Sequence, residues 1–326
     1  MHDAADYIAE TYALGSGPWT MAPVTRGALG QIWKLSSDDC SWAIKELLFG
    51  CDKEQVGREA ALRHATEELG IRSPRLMPNR YGLYVTQLDP SSCGSYVKLY
   101  DWVDGTEADA SDPDILDWFG RTMAFLHTAG EGARETPNSW YEQCPQETDW
   151  KDLHKKVHQA GLPWSDALGR FIDTSATELA HWVTPTDPSD LVTSHLDLRP
   201  QNVLVGPDGP VLLDWDNAGP ISPEREFARA VYVWSGRNQV NFNSARRLAR
   251  AYRSAGGRAA IAGPQSFSML FATDLNFIYV QAECAIDPTV TAAQREFASK
   301  QVVASLHSMP DLTVVSRLGS ELEVVQ

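Results

Sequence analysis

Two short apolar runs, residues 202–205 and 210–213, flank Gly206-Pro207-Asp208-Gly209. Pro and Gly at those places predict a tight turn, so the pair is expected to form a β-hairpin. The polar residues cluster just outside its ends. His195, Asp197, Arg199 and Asn202 precede it or open it, and Asp214, Asp216 and Asn217 follow it. A hairpin here brings Asp197, Asn202 and Asp214 to one edge. These are one potential base and two oxygen ligands for a hard divalent cation. Phosphoryl transfer needs such a set: a carboxylate to take the acceptor's proton, and an Asn and an Asp to hold Mg²⁺ on the phosphates.

His195-Leu-Asp197-Leu-Arg-Pro-Gln-Asn202 resembles the kinase catalytic loop H-x-D-x-x-x-x-N, and Asp214-Trp215-Asp216 stands where protein kinases carry D-F-G. H-x-D followed by P-x-N, then L-x-D-W-D-x-A-G-P, is similar to the aminoglycoside phosphotransferase and choline kinase branch, whose members phosphorylate small molecules. Other parts of the kinase pattern appear in order upstream. Gly27 and Gly30 are two glycines of a looser form of G-x-G-x-x-G, and glycines let backbone amides approach phosphates. The 41–46 stretch reads as a strand whose W-A-I-K resembles the kinase V-A-I-K. A lysine in an apolar strand costs free energy unless it is paired. Residues 52–69 predict a helix with Gly70 beyond its end, and Glu59 lies there, fourteen residues after Lys45. The resemblance implies that Glu59 pairs with Lys45 and orients it onto the α- and β-phosphates, with Glu54 the rival.

Residues 82–88 and 95–101 read as two further strands. The resemblance makes the end of the second an inter-lobe hinge that binds the nucleotide base, near residues 99–102, so Leu99 and Asp101 are expected at the nucleotide. Asp112-Pro113 is an N-cap with Pro at the first helical position. It opens a helix running to His127, which is expected to be structural. Residues 130–150 lack strong periodicity and hold Trp140, Tyr141 and Trp150, as an ordered loop over a substrate site would. Helices are expected at 164–182, 224–234, 241–255, 266–285 and 291–308, and the tail from Pro310 shows no clear pattern. Glu226-Phe-Ala stands where the resembled family has Asp-Leu-Ala, whose Asp pins the catalytic loop.

Composition is that of a folded, soluble protein. The chain has 326 residues, 43% hydrophobic and 22% charged. The acidic start, Met1-His2-Asp3-Ala4-Ala5-Asp6, lacks the basic and apolar regions of a secretory signal, and no apolar run approaches membrane-spanning length. Cytoplasmic residence is the expectation. Five cysteines, Cys40, Cys51, Cys93, Cys144 and Cys284, are scattered without metal-ligand spacing, so reduced thiols are the default. A net charge of −15 disfavours nucleic acid and anionic membranes as partners. Twelve acidic residues against two basic ones lie between Asp101 and Trp150. That run reads either as a solvated face or as an electrostatic funnel for a cationic substrate.

The expectation is thus an α+β, bilobal, protein-kinase-like fold. Residues 1–102 would form a nucleotide-binding lobe with a five-stranded antiparallel sheet and one helix. Residues 103–326 would form a mainly helical lobe with the catalytic hairpin and the acceptor site. The implied reaction moves the γ-phosphoryl of ATP or GTP to a hydroxyl of a small cationic molecule. Asp197 would be the base, and Asn202 and Asp214 would hold Mg²⁺. Asp216 either assists the metal or caps the next turn, and Arg199 either neutralises phosphate or braces the loop. The first choice of acceptor is an amine-rich antibiotic. A metabolite such as choline, homoserine or a sugar is second, and a regulatory pseudokinase is the reading from another class. No activation loop fits between Asp214 and Glu226, which disfavours a protein kinase, and a metal hydrolase would need further ligands beside His195 and Asp197.

Overall fold

In a computed structural model, described for residues 4–27, 30–48, 50–88 and 94–323, the chain forms two compact units. One comprises Met1–Ala108 with Pro200–Ala218, the other Asp109–Arg199 with Gly219–Gln326. The 200–218 stretch, expected within a C-terminal lobe starting at 103, therefore packs with the N-terminal unit. Ala28, Leu29 and Cys93 lie outside the described residues.

The first unit opens with helix α1 (Ala5–Thr11) and an antiparallel meander of β1 (Thr20–Arg26), β2 (Gly30–Ser36) and β3 (Ser41–Leu47). Helix α2 (Lys53–Glu67) follows, its first turn closed by the Asp52 carboxylate, which accepts from the N–H groups of Glu54 and Gln55. Then come β4 (Leu76–Met77), β5 (Thr86–Gln87), β6 (Tyr96–Asp101) and β7 (Thr106–Glu107). The main sheet runs β1-β2-β3-β6-β4, with β5 also on β6. The expected sheet is antiparallel as foreseen, but its last position is divided. β4 lies opposite Leu99 and Tyr100, and β5 opposite Tyr96 and Val97. The strand expected over 82–88 is cut short because Asn79 turns the chain: its side-chain oxygen accepts from the N–H groups of Tyr81 and Leu83, and Gly82 adopts φ +77°. Ile8, Leu35, Ile44, Val97 and Leu99 are fully buried, so α1 and the sheet share one core.

In the second unit α3 (Pro113–Ala129) is followed by α4 (Ser139–Glu142), α5 (Glu147–Gln159), α6 (Ser165–Phe171) and α7 (Thr177–Ala180), the last two joined by a π-helical turn. The 130–150 stretch is therefore partly helical, and Trp150 is a core residue with its ring edge-on to Phe171 and Tyr279. Strand β8 (Val192–Ser194) ends this segment.

The hairpin is as the sequence predicts. β9 (Val203–Gly206) and β10 (Gly209–Leu212) pair antiparallel, with Gly206 opposite Gly209, whose φ of +102° suits the tight turn. β7 adds to β9 as a third strand. The chain returns to the second unit in β11 (Gly219–Ile221), which pairs with β8. Helices α8 (Pro223–Trp234), α9 (Phe242–Ser254), α10 (Ser268–Ile286), α11 (Ala292–Ser308) and α12 (Leu312–Glu323) complete it. α3 and α9 approach closely at Gly120, where a Cβ would lie 2.6 Å from the Leu248 carbonyl oxygen. Among the described residues no helix is long and apolar enough to cross a membrane.

Candidate active site

In the first unit the β3–β6 register sets Lys45 directly opposite Lys98. Directly opposed residues project to the same face of a sheet, so two lysines lie side by side. Both are buried, at 9% and 2% exposure, where an unpaired ammonium would be very costly. Three carboxylates meet them. Lys45 Nζ lies 2.6 Å from Asp214 Oδ1 and 2.6 Å from Asp216 Oδ2. Lys98 Nζ lies 2.6 Å from Glu59 Oε2 and also bonds Asp216 Oδ1. Burial pulls both lysine pKa values down, but the carboxylates outweigh it, and both lie above the ordinary range. Burial pushes Asp216 up, yet the two ammonium groups hold it well below the usual carboxylate range.

The expected pairing of Lys45 with Glu59 is therefore corrected. Glu59 is wholly buried on the face of α2 that also carries Val56, Leu62, Arg63 and Thr66. It meets Lys98, Arg63 Nε at 3.1 Å and the Tyr100 hydroxyl at 3.0 Å. Lys98 stands between Glu59 and Asp216, and through Asp216 this chain of contacts links Lys45 to α2. Gln55, which the sequence did not single out, strengthens the same junction. Its side-chain amide donates to the carbonyls of Asp216 and Ala218, each at 2.7 Å.

Asn202 and Asp214 flank the hairpin as anticipated. The Leu213 N–H donates to the Asn202 carbonyl at 2.8 Å, extending the ladder past Leu212. Asp214 adopts φ +58°, a left-handed conformation uncommon for a residue with a side chain. Its carboxylate, 37% exposed, keeps Oδ1 on Lys45. An amide oxygen and an accessible carboxylate are hard donors of the kind Mg²⁺ takes alongside phosphate oxygens and water. Asp216 is a poorer ligand, because both its oxygens are bonded to lysines. Among the described residues no cluster of three or more His, Cys, Asp or Glu forms a cation cage by itself.

Gly27 and Gly30 close the β1–β2 hairpin through a 2.9 Å bond from the Gly27 N–H to the Gly30 carbonyl. Only Gly30 is tightly constrained: a Cβ there would stand 3.0 Å from the Glu46 carbonyl oxygen and 3.1 Å from Lys45 Cε. Leu99 and Asp101, expected at the nucleotide, lie at the sheet-paired end of β6. Leu99 has β3 on one side and β4 on the other, so the sheet surrounds its backbone. Asp101 donates its N–H to Arg75 O, and its side chain pairs with Arg75 at 3.4 Å.

In the second unit the H-x-D segment is fixed by α8. Leu196 adopts φ +64°, and its N–H donates to Glu226 Oε1 at 2.7 Å. Glu226 Oε2 lies 3.0 Å from His127 Nε2, and His127 Nδ1 lies 2.8 Å from the Tyr252 hydroxyl. Burial pushes Glu226 up, but these bonds hold it below its ordinary value. The longer Glu thus does the pinning that the resemblance assigned to an Asp. Asp197 is held by Arg229 Nη2 at 3.3 Å and Arg199 Nε at 3.1 Å. Arg229 also donates to the Leu196 carbonyl. Arg199 braces the loop, one of its two anticipated roles.

The acidic run is partly spent. Asp117 binds Arg247 at 2.6 and 2.8 Å, Glu131 binds Arg258, and the half-buried Glu142 binds Arg225 and Thr186.

An antiparallel sheet with a buried lysine, together with a helical unit carrying the H-x-D segment, is the kinase-like fold. The APH phosphotransferase enzyme family model matches residues 21–263, and the chain belongs to that family. No curated protein sequence matches it. Among solved structures it is similar to a spectinomycin phosphotransferase in complex with ADP and spectinomycin, at 16% identity and a TM-score of 0.66, covering 98% of each chain. It is similar also to an amicoumacin kinase in complex with AMP-PNP and Ca²⁺, at 12% identity and a TM-score of 0.62, covering 94% of this chain and 93% of that one. A microcompartment-associated aminopropanol kinase matches at 17% identity and a TM-score of 0.57, covering 93% of this chain and 94% of that one.

Proposed function

We propose that this phosphotransferase moves the γ-phosphoryl of ATP or GTP to a hydroxyl of a small cationic molecule, an amine-bearing antibiotic being the first choice. The observation that carries the reading is the buried Lys45 paired to Asp214 of the D-W-D segment. A lysine held by carboxylates at that place is a phosphate ligand in waiting. Lys45 binds the nucleotide phosphates, and Gly27 and Gly30 let the first hairpin approach them. Asn202 and Asp214 hold Mg²⁺, which when bound neutralises charge on the phosphates. Asp197 orients the acceptor hydroxyl and accepts its proton, while Arg229 and Arg199 fix the carboxylate. The base contact falls to residues 102–105, which follow the last sheet-paired residue of β6 and precede β7. Spectinomycin, amicoumacin and aminopropanol, which name the kinases of similar fold, support an antibiotic or a small amino alcohol as acceptor.

A metabolite kinase is the second reading, favoured by the acidic side chains already bound to arginines, which weaken the funnel. Nucleoside diphosphate formation across amine antibiotics, amino alcohols and neutral sugars, with ATP and with GTP, separates the two. Turnover on amine antibiotics supports the first reading, and turnover on amino alcohols or neutral sugars alone overturns it.

A further inference from the structure

Lys98 has no part in the reaction described above, yet it is the most buried amine of the lysine–carboxylate cluster. Its Nζ bonds Glu59 Oε2 at 2.6 Å and also bonds Asp216 Oδ1, while the other oxygen of Asp216 lies 2.6 Å from Lys45. With Arg63 on Glu59, three cations match the three carboxylates of this cluster. A phosphate bound by the Lys45 ammonium competes for it with Asp214 and Asp216 and draws it away from them. The cost of that move depends on how much of each carboxylate's charge another cation carries. For Asp216 that cation is Lys98.

We propose that Lys98 is a positioning residue for nucleotide binding: by neutralising Asp216 and Glu59 it leaves the Lys45 ammonium free to transfer from the carboxylates to the nucleotide phosphates. The inference rests on the phosphotransferase reading above. Without Lys98 the full charge of Asp216 falls on Lys45, and the buried cluster keeps one uncompensated negative charge that repels a polyphosphate. Asp216 is thereby assigned a role other than metal ligand or turn cap. It is the shared carboxylate through which Lys98 acts on Lys45. A role limited to fastening α2 onto β6 would instead weaken every ligand alike.

The test is calorimetric titration of AMP-PNP and of GMP-PNP, each with Mg²⁺, and of adenosine and guanosine, into the wild type, Lys98→Met and Lys98→Met/Asp216→Asn. The wild type binds one of the analogues. Lys98→Met weakens that binding about tenfold or more, as loss of a buried ionic partner does. The matching nucleoside, which carries no phosphate, binds Lys98→Met as it binds the wild type. The double variant, with the excess charge removed, recovers most of the loss. Unchanged analogue binding by Lys98→Met, an equal loss for the nucleoside, or no recovery in the double variant overturns the inference. Should Lys98→Met not fold, Lys98→Met/Glu59→Gln is compared with Lys98→Met/Asp216→Asn. Both restore charge balance, but only the second releases Lys45, so equal affinities overturn the inference. A wild type that binds neither analogue overturns the phosphotransferase reading and the inference together.

Discussion

The N–H of Leu196 donates to Glu226 Oε1 at 2.7 Å, thirty positions further along the chain. The bond reaches the residue just before Asp197 and holds it in a left-handed conformation, φ +64°, that a leucine adopts only under constraint. Glu226 is itself buried, and its second oxygen is bonded to His127.

Removing this carboxylate leaves a strained N–H and a buried imidazole without their acceptor. Glu226→Ala should cost about 3 kcal/mol of stability, since each buried polar group left unsatisfied costs about 1–3 kcal/mol. Urea denaturation measures it. Glu226→Asp should recover only part of the loss, because a side chain one methylene shorter cannot reach both Leu196 and His127. Full recovery would show that the longer side chain is not required.

Asp197→Ala should lower kcat by about 10²–10⁴-fold, the usual contribution of a general base, while nucleotide affinity stays close to that of the wild type. Arg229→Met should lower kcat less and leave the nucleotide KM alone, because Arg229 acts through the carboxylate it holds. Steady-state kinetics distinguish the two. An Asp197→Ala enzyme retaining more than about a tenth of its turnover removes the base from this position.

Asp214→Asn deletes a charged oxygen donor and one of the two carboxylates that hold Lys45. Turnover should fall, and the Mg²⁺ concentration for half-maximal rate at fixed nucleotide should rise by about tenfold or more. An unchanged Mg²⁺ titration moves the cation away from Asp214.

Stability should fall on the acid side. Asp216 and Glu226 have lowered pKa values in the folded chain. Their contributions are complete above the unfolded values, about 3.9 and 4.3, and are lost as pH drops through the lower folded values. Lys45 and Lys98 are raised, so their contributions persist up to the unfolded value near 10.4 and fade only above it. The melting temperature should therefore be nearly level from about pH 5 to 9 with respect to these groups and decline below about pH 4. In Asp216→Asn the deficit against the wild type should shrink over that acid decline. A deficit that stays constant there assigns the acid sensitivity to other carboxylates.

The hairpin, and Asn202 and Asp214 at its two ends, are legible because each depends on spacing within about a dozen residues. Lys45 was legible as a lysine inside an apolar strand. Its partner was not. That choice depends on the β3–β6 register, which sets Lys98 beside it and gives Glu59 a nearer cation. The pairing of Leu99 on its second side was not legible either, since β4 is a two-residue strand with no pattern of its own. Trp150 read as a loop aromatic, because the capping interactions of Gln146 and Asp149 that start α5 involve neither Ser nor Thr. Helix α12 leaves a trace in the sequence of the tail. Asp311 accepts from the Thr313 N–H as a cap, and Val315, Leu318 and Leu322 are buried at helical spacing.

The most direct measurement follows the γ-phosphoryl group itself. Wild-type enzyme and Asp197→Ala are incubated with γ-labelled ATP or GTP, Mg²⁺ and the best acceptor from the screen, and the label is traced by mass. The account predicts label on an acceptor hydroxyl with the wild type and almost none with Asp197→Ala. Its acceptor KM should climb with ionic strength, as screening over roughly 8 Å at physiological salt requires for a cationic substrate. Label released only as inorganic phosphate, or transferred equally well by Asp197→Ala, contradicts it.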